Sequence, residues 1–127
     1  MTNKRKIIND PVYGFISVPN EFIYDLISHQ WFQRLRNIRQ LGLSSFVYPG
    51  AVHSRFQHSL GAMYLTGQAV HTLRRKGIDV SAEEEEGVLA AILLHDIGHG
   101  PFSHALEHSL IEEMPHEAMS LLIMEEL

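Results

Sequence analysis

The sequence predicts an all-α domain preceded by a short extended or hairpin arm. Three observations lead there. Apolar residues recur at helical spacing through most of the chain after Asn20, and the breaks between these runs carry helix start and stop signals. Residues 1–19, "MTNKRKIINDPVYGFISVP", instead mix β-branched residues with Asp-Pro, Gly and Pro punctuation. A chain of 127 residues with 45% apolar and 20% charged residues fits one domain with a true core.

Each element follows from local chemistry. Residues 1–19 form the arm, and Asn20 after Pro19 is a good N-cap. Phe22, Ile23, Leu26 and Ile27, then Trp31, Phe32, Leu35, Ile38 and Leu41, predict one bent helix or two in series stopping near Gly42, with Arg34, Arg36 and Arg39 on the opposite face. "GLSSFVYPGAVHS" reads as a loop with a Pro-Gly turn. A long helix fits residues 54–76, with Phe56, Leu60, Met63, Tyr64, Gly67, Val70 and Leu73 along one side. Arg74, Arg75 and Lys76 suit its C-terminus and Gly77 its stop. Ser81 and Glu84 make a capping box for the next helix, whose "EEEE" run at 83–86 is a solvated first turn. That helix runs through Val88, Leu89, Ile92 and Leu93 to His95, where Gly98, Gly100 and Pro101 break it. A helix over about 102–113 and a last one opened by Pro115 complete the order. The apolar run Met119, Leu121, Leu122, Ile123 and Met124 has no stop signal after it, which predicts further covering chain or self-association.

Composition narrows the function classes. There is no cysteine, so neither a disulfide frame nor a thiolate metal site is available. A net charge of −5 argues against general nucleic-acid binding. No apolar run approaches a membrane span, and the basic "MTNKRK" start lacks a signal-peptide core, which predicts a cytoplasmic protein.

The chemistry concentrates in "LLHDIGHGPFSH", residues 93–104, where a core-like helix ends in His95, Asp96, His99 and His104. Read alone, His95–Asp96 fits a helix C-cap, with an imidazolium against the dipole, as well as a ligand pair. "HSRFQHSLG" adds His53, Arg55 and His58 on the preceding helix. Together with "WFQRLRNIRQLG" and "KIINDPVYGF", these motifs resemble the HD-domain deoxynucleoside triphosphate (dNTP) triphosphohydrolases, over residues 6–120. The resemblance implies an HD-domain helical bundle and a metal-dependent phosphohydrolase that converts a dNTP to deoxynucleoside and triphosphate by attack of water on the α-phosphorus. It implies that residues 1–127 are a single HD domain and the N-terminal part of a longer enzyme.

The resemblance also assigns residues. His58, His95 and Asp96 match the metal ligands. The family's fourth ligand is an aspartate far downstream, so this chain by itself is expected to show little turnover. Two imidazoles and a carboxylate suit one divalent ion of the Fe, Mn, Zn or Ni kind, with Mg as an option. Such an ion polarises a phosphoryl oxygen and activates water. His99 and His104 match groups facing the triphosphate, and Glu107 and His116 an acid–histidine relay, all four being catalytic candidates. Arg55 matches a phosphate-binding arginine, while Gln40 and Leu41 match the residues that meet the sugar and disfavour a 2′-hydroxyl. Lys6, Ile7, Gln33 and Arg36 match parts of a regulatory nucleotide site at subunit contacts, which implies a homo-oligomer. Ser28 departs from the aspartate of the family's guanine-reading member. His29, His71 and His108 read as ordinary surface or packing residues. Two other readings stand beside this one: an HD phosphohydrolase acting on nucleoside monophosphates or signalling nucleotides, and a truncated, non-catalytic nucleotide-binding or oligomerisation module.

Overall fold

A computed structural model describes residues 6–102, 106 and 115–127. The arm is a hairpin of β1 (Ile7–Asp10) and β2 (Gly14–Ser17), antiparallel, with Ile8 opposite Ile16. Asp10 builds the turn: its Oδ1 accepts from the Val12 and Tyr13 amides at 2.8 and 3.0 Å, and Gly14 takes the positive φ of 73° that closes it. The hairpin is anchored through Ile16, which is buried, and through Tyr13, whose ring meets Tyr64 at 5.1 Å. Gly61 makes room for that ring, since a Cβ there would lie 2.8 Å from Tyr13 Cε2.

Helix α1 (Glu21–Ser28) starts as expected, with the Asn20 side chain accepting from the Ile23 amide at 2.9 Å. His29 has extended backbone and separates α1 from the single turn α2 (Gln30–Gln33), which tightens into a 3₁₀ helix over Arg34–Asn37. The series therefore ends at Asn37, short of the expected stop near Gly42. Gly42 instead opens a second 3₁₀ helix, Gly42–Phe46, inside the stretch expected to be loop, and its φ of 55° shows that its role is to turn the chain. Arg34 also departs from expectation. It does not share a solvated face with the exposed Arg36 and Arg39 but reaches inward to the backbone after Asp96.

Helix α3 (Arg55–Arg75) has Ser54 as N-cap in a capping box with Gln57, and Gly77 ends the segment at φ 83°. Helix α4 (Ala82–Leu94) has the Ser81–Glu84 capping box. Its acidic first turn faces solvent, with Glu85 tied to Arg74 and Glu86 to Asn20. Phe56, Leu60 and Met63 of α3 pack with Leu89 and Leu93 of α4, and Phe32, Leu35 and Ile38 join the same core. Each such side chain contributes about 1.5–3 kcal/mol on burial. Val70 is buried but Leu73 is exposed, so the apolar side of α3 stops one turn short of the expected length. An isolated bridge between Arg39 and Ser54 lays residues 39–40 along the start of α3.

Helix α5 (His116–Glu125) follows Pro115. Its apolar run is largely covered from within the chain: Ile123 belongs to the core, Met119 and Met124 pack against it, and Leu121 and Leu122 are the exposed members. The expected helix over about 102–113, with His104, Glu107 and His108, lies outside the described residues apart from Phe102 and Leu106.

Candidate metal centre

Helices α3 and α4 pack side by side, so the first turn of α3 faces the end of α4. His58 comes from that first turn, and His95 and Asp96 from the point where α4 ends. One ligand atom from each lies within 4.8 Å of the other two. The Nε2 atoms of His58 and His95 are 3.3 Å apart, with Asp96 Oδ2 3.7 Å from His58 Nε2 and Asp96 Oδ1 3.4 Å from His95 Nε2. Neighbouring residues in a continuing helix diverge by about 100°. Here the helix ends at Leu94, and the turn after it brings both side chains to one point.

Protonation suits a cation. His95 Nδ1 lies 2.6 Å from the Ile92 carbonyl, which can only accept, so a proton sits on Nδ1 and Nε2 is the ring atom left to face the cluster. Burial pushes His58 below its ordinary range, which favours neutral imidazole; Asp96 opposes this, while His95, Arg55 and His53 add to it. Burial works to raise Asp96, but the hydrogen bond from His99 and the neighbouring His95 and Arg55 outweigh it and hold the carboxyl well below the usual carboxylate range. Two imidazoles and a carboxylate are a donor set that a divalent ion fits, and His58, His95 and Asp96 can hold one.

Around these three sit supporting groups. Arg55 is buried and donates from Nη1 to Asp96 Oδ2 at 2.8 Å. His99, 2% exposed, lies with Nε2 3.4 Å from Asp96 Oδ1, and its ring stacks on His116 of α5 at 4.0 Å. His116 in turn has Nε2 3.1 Å from Glu117 Oε1. Gln40 lies beside the start of α3, its Oε1 2.6 Å from His53 Nε2, and the adjacent Leu41 is half exposed. The four residues matched to a regulatory site form two groups. Lys6 Nζ lies 3.3 Å over the Tyr24 ring, and Tyr24 is pushed down by hydrogen bonds with Lys6 and Ser28. Gln33 donates to the Ile27 carbonyl and accepts from Arg36 Nε, whose guanidinium covers the Phe56 ring, while Ile7 is exposed on the hairpin.

Sequence reasoning missed two residues of this region. Arg34 donates to the Ile97 and His99 carbonyls, and burial lowers its pKa. Helical spacing puts it on the face opposite the apolar residues, so its sequence context did not mark it. Ser120, in the apolar run of α5, contacts the backbone of the turn from the other side, and nothing in its sequence context marked it.

A helical bundle with a His, His, Asp cluster where two helices meet defines a class, and the family model of the HD domain matches residues 55–126. The chain belongs to the HD-domain family. It is 42% identical over 124 residues to the deoxynucleoside triphosphate triphosphohydrolase SAMHD1 homolog of Dictyostelium discoideum, covering 91% of this chain and 24% of that protein. It is 41% identical over 130 residues to human deoxynucleoside triphosphate triphosphohydrolase SAMHD1, covering 96% of this chain and 21% of that one. The crystal structure of a phosphohydrolase from Bacteroides thetaiotaomicron superposes with a TM-score of 0.94 at 57% identity, over 97% of this chain and 30% of the other. The chain thus spans about a quarter of the length of the curated relatives it matches. Among the described residues no helix is long and apolar enough to cross a membrane.

Proposed function

We propose that this chain is the HD-bearing part of a dNTP triphosphohydrolase. The observation that carries the reading is the convergence of His58, His95 and Asp96 to within 4.8 Å, with His95 Nε2 left to face the cluster. Similarity to two proteins named deoxynucleoside triphosphate triphosphohydrolases supports the substrate class. A divalent ion held there would supply Lewis acidity toward a phosphoryl oxygen. In the overall reaction water adds to the α-phosphorus and the bond to the 5′-oxygen breaks, that oxygen taking a proton as the deoxynucleoside leaves.

The chain's own residues supply the rest. Arg55 joins His99 and His95 in holding Asp96 ionised and would bring positive charge to a bound triphosphate. His99, stacked on His116, links the cluster to α5, and His104 and Glu107 complete the proposed catalytic set. Gln40, held by His53, and Leu41 would meet the sugar. Lys6, which lies over the Tyr24 ring, Ile7, and the pair Gln33 and Arg36 would form part of a second, regulatory nucleotide site in a cytoplasmic homo-oligomer. The test is metal analysis of the purified protein followed by incubation with each dNTP and identification of products. Triphosphate and deoxynucleoside in equal amounts are expected. Release of orthophosphate or pyrophosphate instead, or hydrolysis confined to monophosphates, would move the protein to another branch of the family.

A further inference from the structure

The turn that carries two of the three candidate ligands is held from two distant parts of the chain. Helix α4 stops at Leu94, so the carbonyls that follow have no intrahelical partner. Arg34 meets two of them, donating from Nη2 to the Ile97 carbonyl at 2.6 Å and from Nη1 to the His99 carbonyl at 2.9 Å. Ser120 of α5 meets the other side, accepting from the Gly98 amide at 2.9 Å and donating to the His95 carbonyl at 3.3 Å. Asp96 is therefore bracketed, with Ser120 fixing the carbonyl before it and Arg34 the carbonyls after it. Among the described residues Arg34 forms no ion pair, so its charge is directed at carbonyls at the negative end of a helix dipole. A planar guanidinium fork holds two carbonyls in one fixed geometry, whereas an ammonium, with rotatable donors on a flexible stem, fixes them less well. Gly98 lets α5 come this close, because a Cβ there would lie 2.4 Å from the Ser120 nitrogen.

We propose that Arg34 and Ser120 are positioning residues that set the His95–Asp96 pair against His58, so that affinity for a divalent ion depends on a clamp outside the ligand set. This inference rests on the metal reading of the cluster. Its physical basis is the narrow tolerance of ligand distances, about 0.2 Å, against which even a small drift of the turn is large.

The experiment is a Co²⁺ titration, followed by visible ligand-field absorption, on the parent protein and on Arg34→Met, Arg34→Lys and Ser120→Ala. The metal-free melting temperature of each is measured in parallel. Arg74→Met is the control, because Arg74 also spans backbone carbonyls, those of Val80 and Ser81, far from the cluster in the fold. Arg34→Met is expected to weaken Co²⁺ binding by about 10–100-fold and to alter the ligand-field bands, as loss of a group orienting the ligands does. Ser120→Ala should act in the same direction, and Arg34→Lys should recover part of the loss. Arg74→Met should lower the melting temperature and leave Co²⁺ binding unchanged. If Arg34→Met does not fold, Arg34→Lys and Ser120→Ala decide the matter. Parental affinity and bands in the folded variants would overturn the clamp, whatever their melting temperatures. A parent protein that takes up no Co²⁺ would overturn the metal reading, and the clamp with it.

Discussion

Arg55 donates from Nη1 to Asp96 Oδ2 at 2.8 Å, and both side chains are buried. Spacing alone places Arg55 one turn before His58, where a phosphate-binding residue could overlook a metal without affecting it. The fold also ties it to a ligand candidate. Arg55→Met is expected to lose metal as well as nucleotide affinity and to destabilise the protein by about 3–5 kcal/mol, because a buried carboxylate is left without its main cationic partner. Arg55→Lys should retain part of both. The check is metal content together with denaturant unfolding; full metal content in a destabilised Arg55→Met would show that the pair is structural alone.

Asp96, held down by the hydrogen bond from His99 and by His95 and Arg55, predicts an acid response in metal-free protein. Asp96 in the fold lies below its unfolded value of about 3.9, so on acidification the unfolded chain binds a proton first. The stabilisation from ionised Asp96 is therefore present above about pH 4 and is lost as pH falls through the lower folded value. His58, lowered mainly by burial, loses its contribution earlier, starting below about pH 6.5. Melting curves in chelator should show the parent more stable than Asp96→Asn near neutrality, with the gap shrinking from about pH 5 to about pH 2. A gap that stays constant or widens would contradict the assignment.

Two glycines make a matched pair. A Cβ on Gly98 would lie 2.4 Å from both the His116 carbonyl oxygen and the Ser120 nitrogen, which are backbone atoms and cannot swing aside. Gly98→Ala should cost at least the 1–3 kcal/mol typical of overpacking and should disturb the stacking of His99 on His116. Gly87 lies exposed inside α4 with nothing within 4 Å of its added Cβ, so Gly87→Ala should stabilise by about 0.5–1 kcal/mol. Thermal unfolding of the two variants reads both signs in one experiment.

What could be read from the sequence divides along a physical line. Local chemistry was legible: Asn20 and Ser81 act as caps, Gly77 as a stop, and Asp10-Pro11 as a hairpin turn, because each acts on backbone within a few residues. The family motif brought His58, His95 and Asp96 together on paper, and the packing of α3 on α4 brings them together in space. Contacts between distant segments were not legible. The early end of the first helical series, the inward turn of Arg34, the hold of Ser120 on the turn and the covering of Ile123 all depend on which elements become neighbours. Periodicity assigns a residue to a face but does not say what lies opposite.

Leu41 is matched to a residue that meets the sugar. Leu41 is 48% exposed and caps the 3₁₀ helix Gly42–Phe46 through its backbone, so truncating its side chain removes little buried area. Beside it, Gln40 is held by His53 at 2.6 Å and does not depend on Leu41 for its orientation. Leu41→Ala should therefore keep near-parental stability, and any change in selectivity belongs to the side chain itself. If Leu41 walls off a 2′-hydroxyl, the ratio of kcat/KM for a dNTP over its ribonucleotide should fall, mainly because the ribonucleotide is used better. The fall should stay at about 100-fold or below, since an apolar wall rejects an analogue that merely adds a hydroxyl by only about 100-fold. Competing the two substrates against each other on the purified protein measures the ratio directly. Unchanged discrimination in a stable Leu41→Ala would remove Leu41 from the sugar site and leave selection to Gln40 or to residues outside this segment.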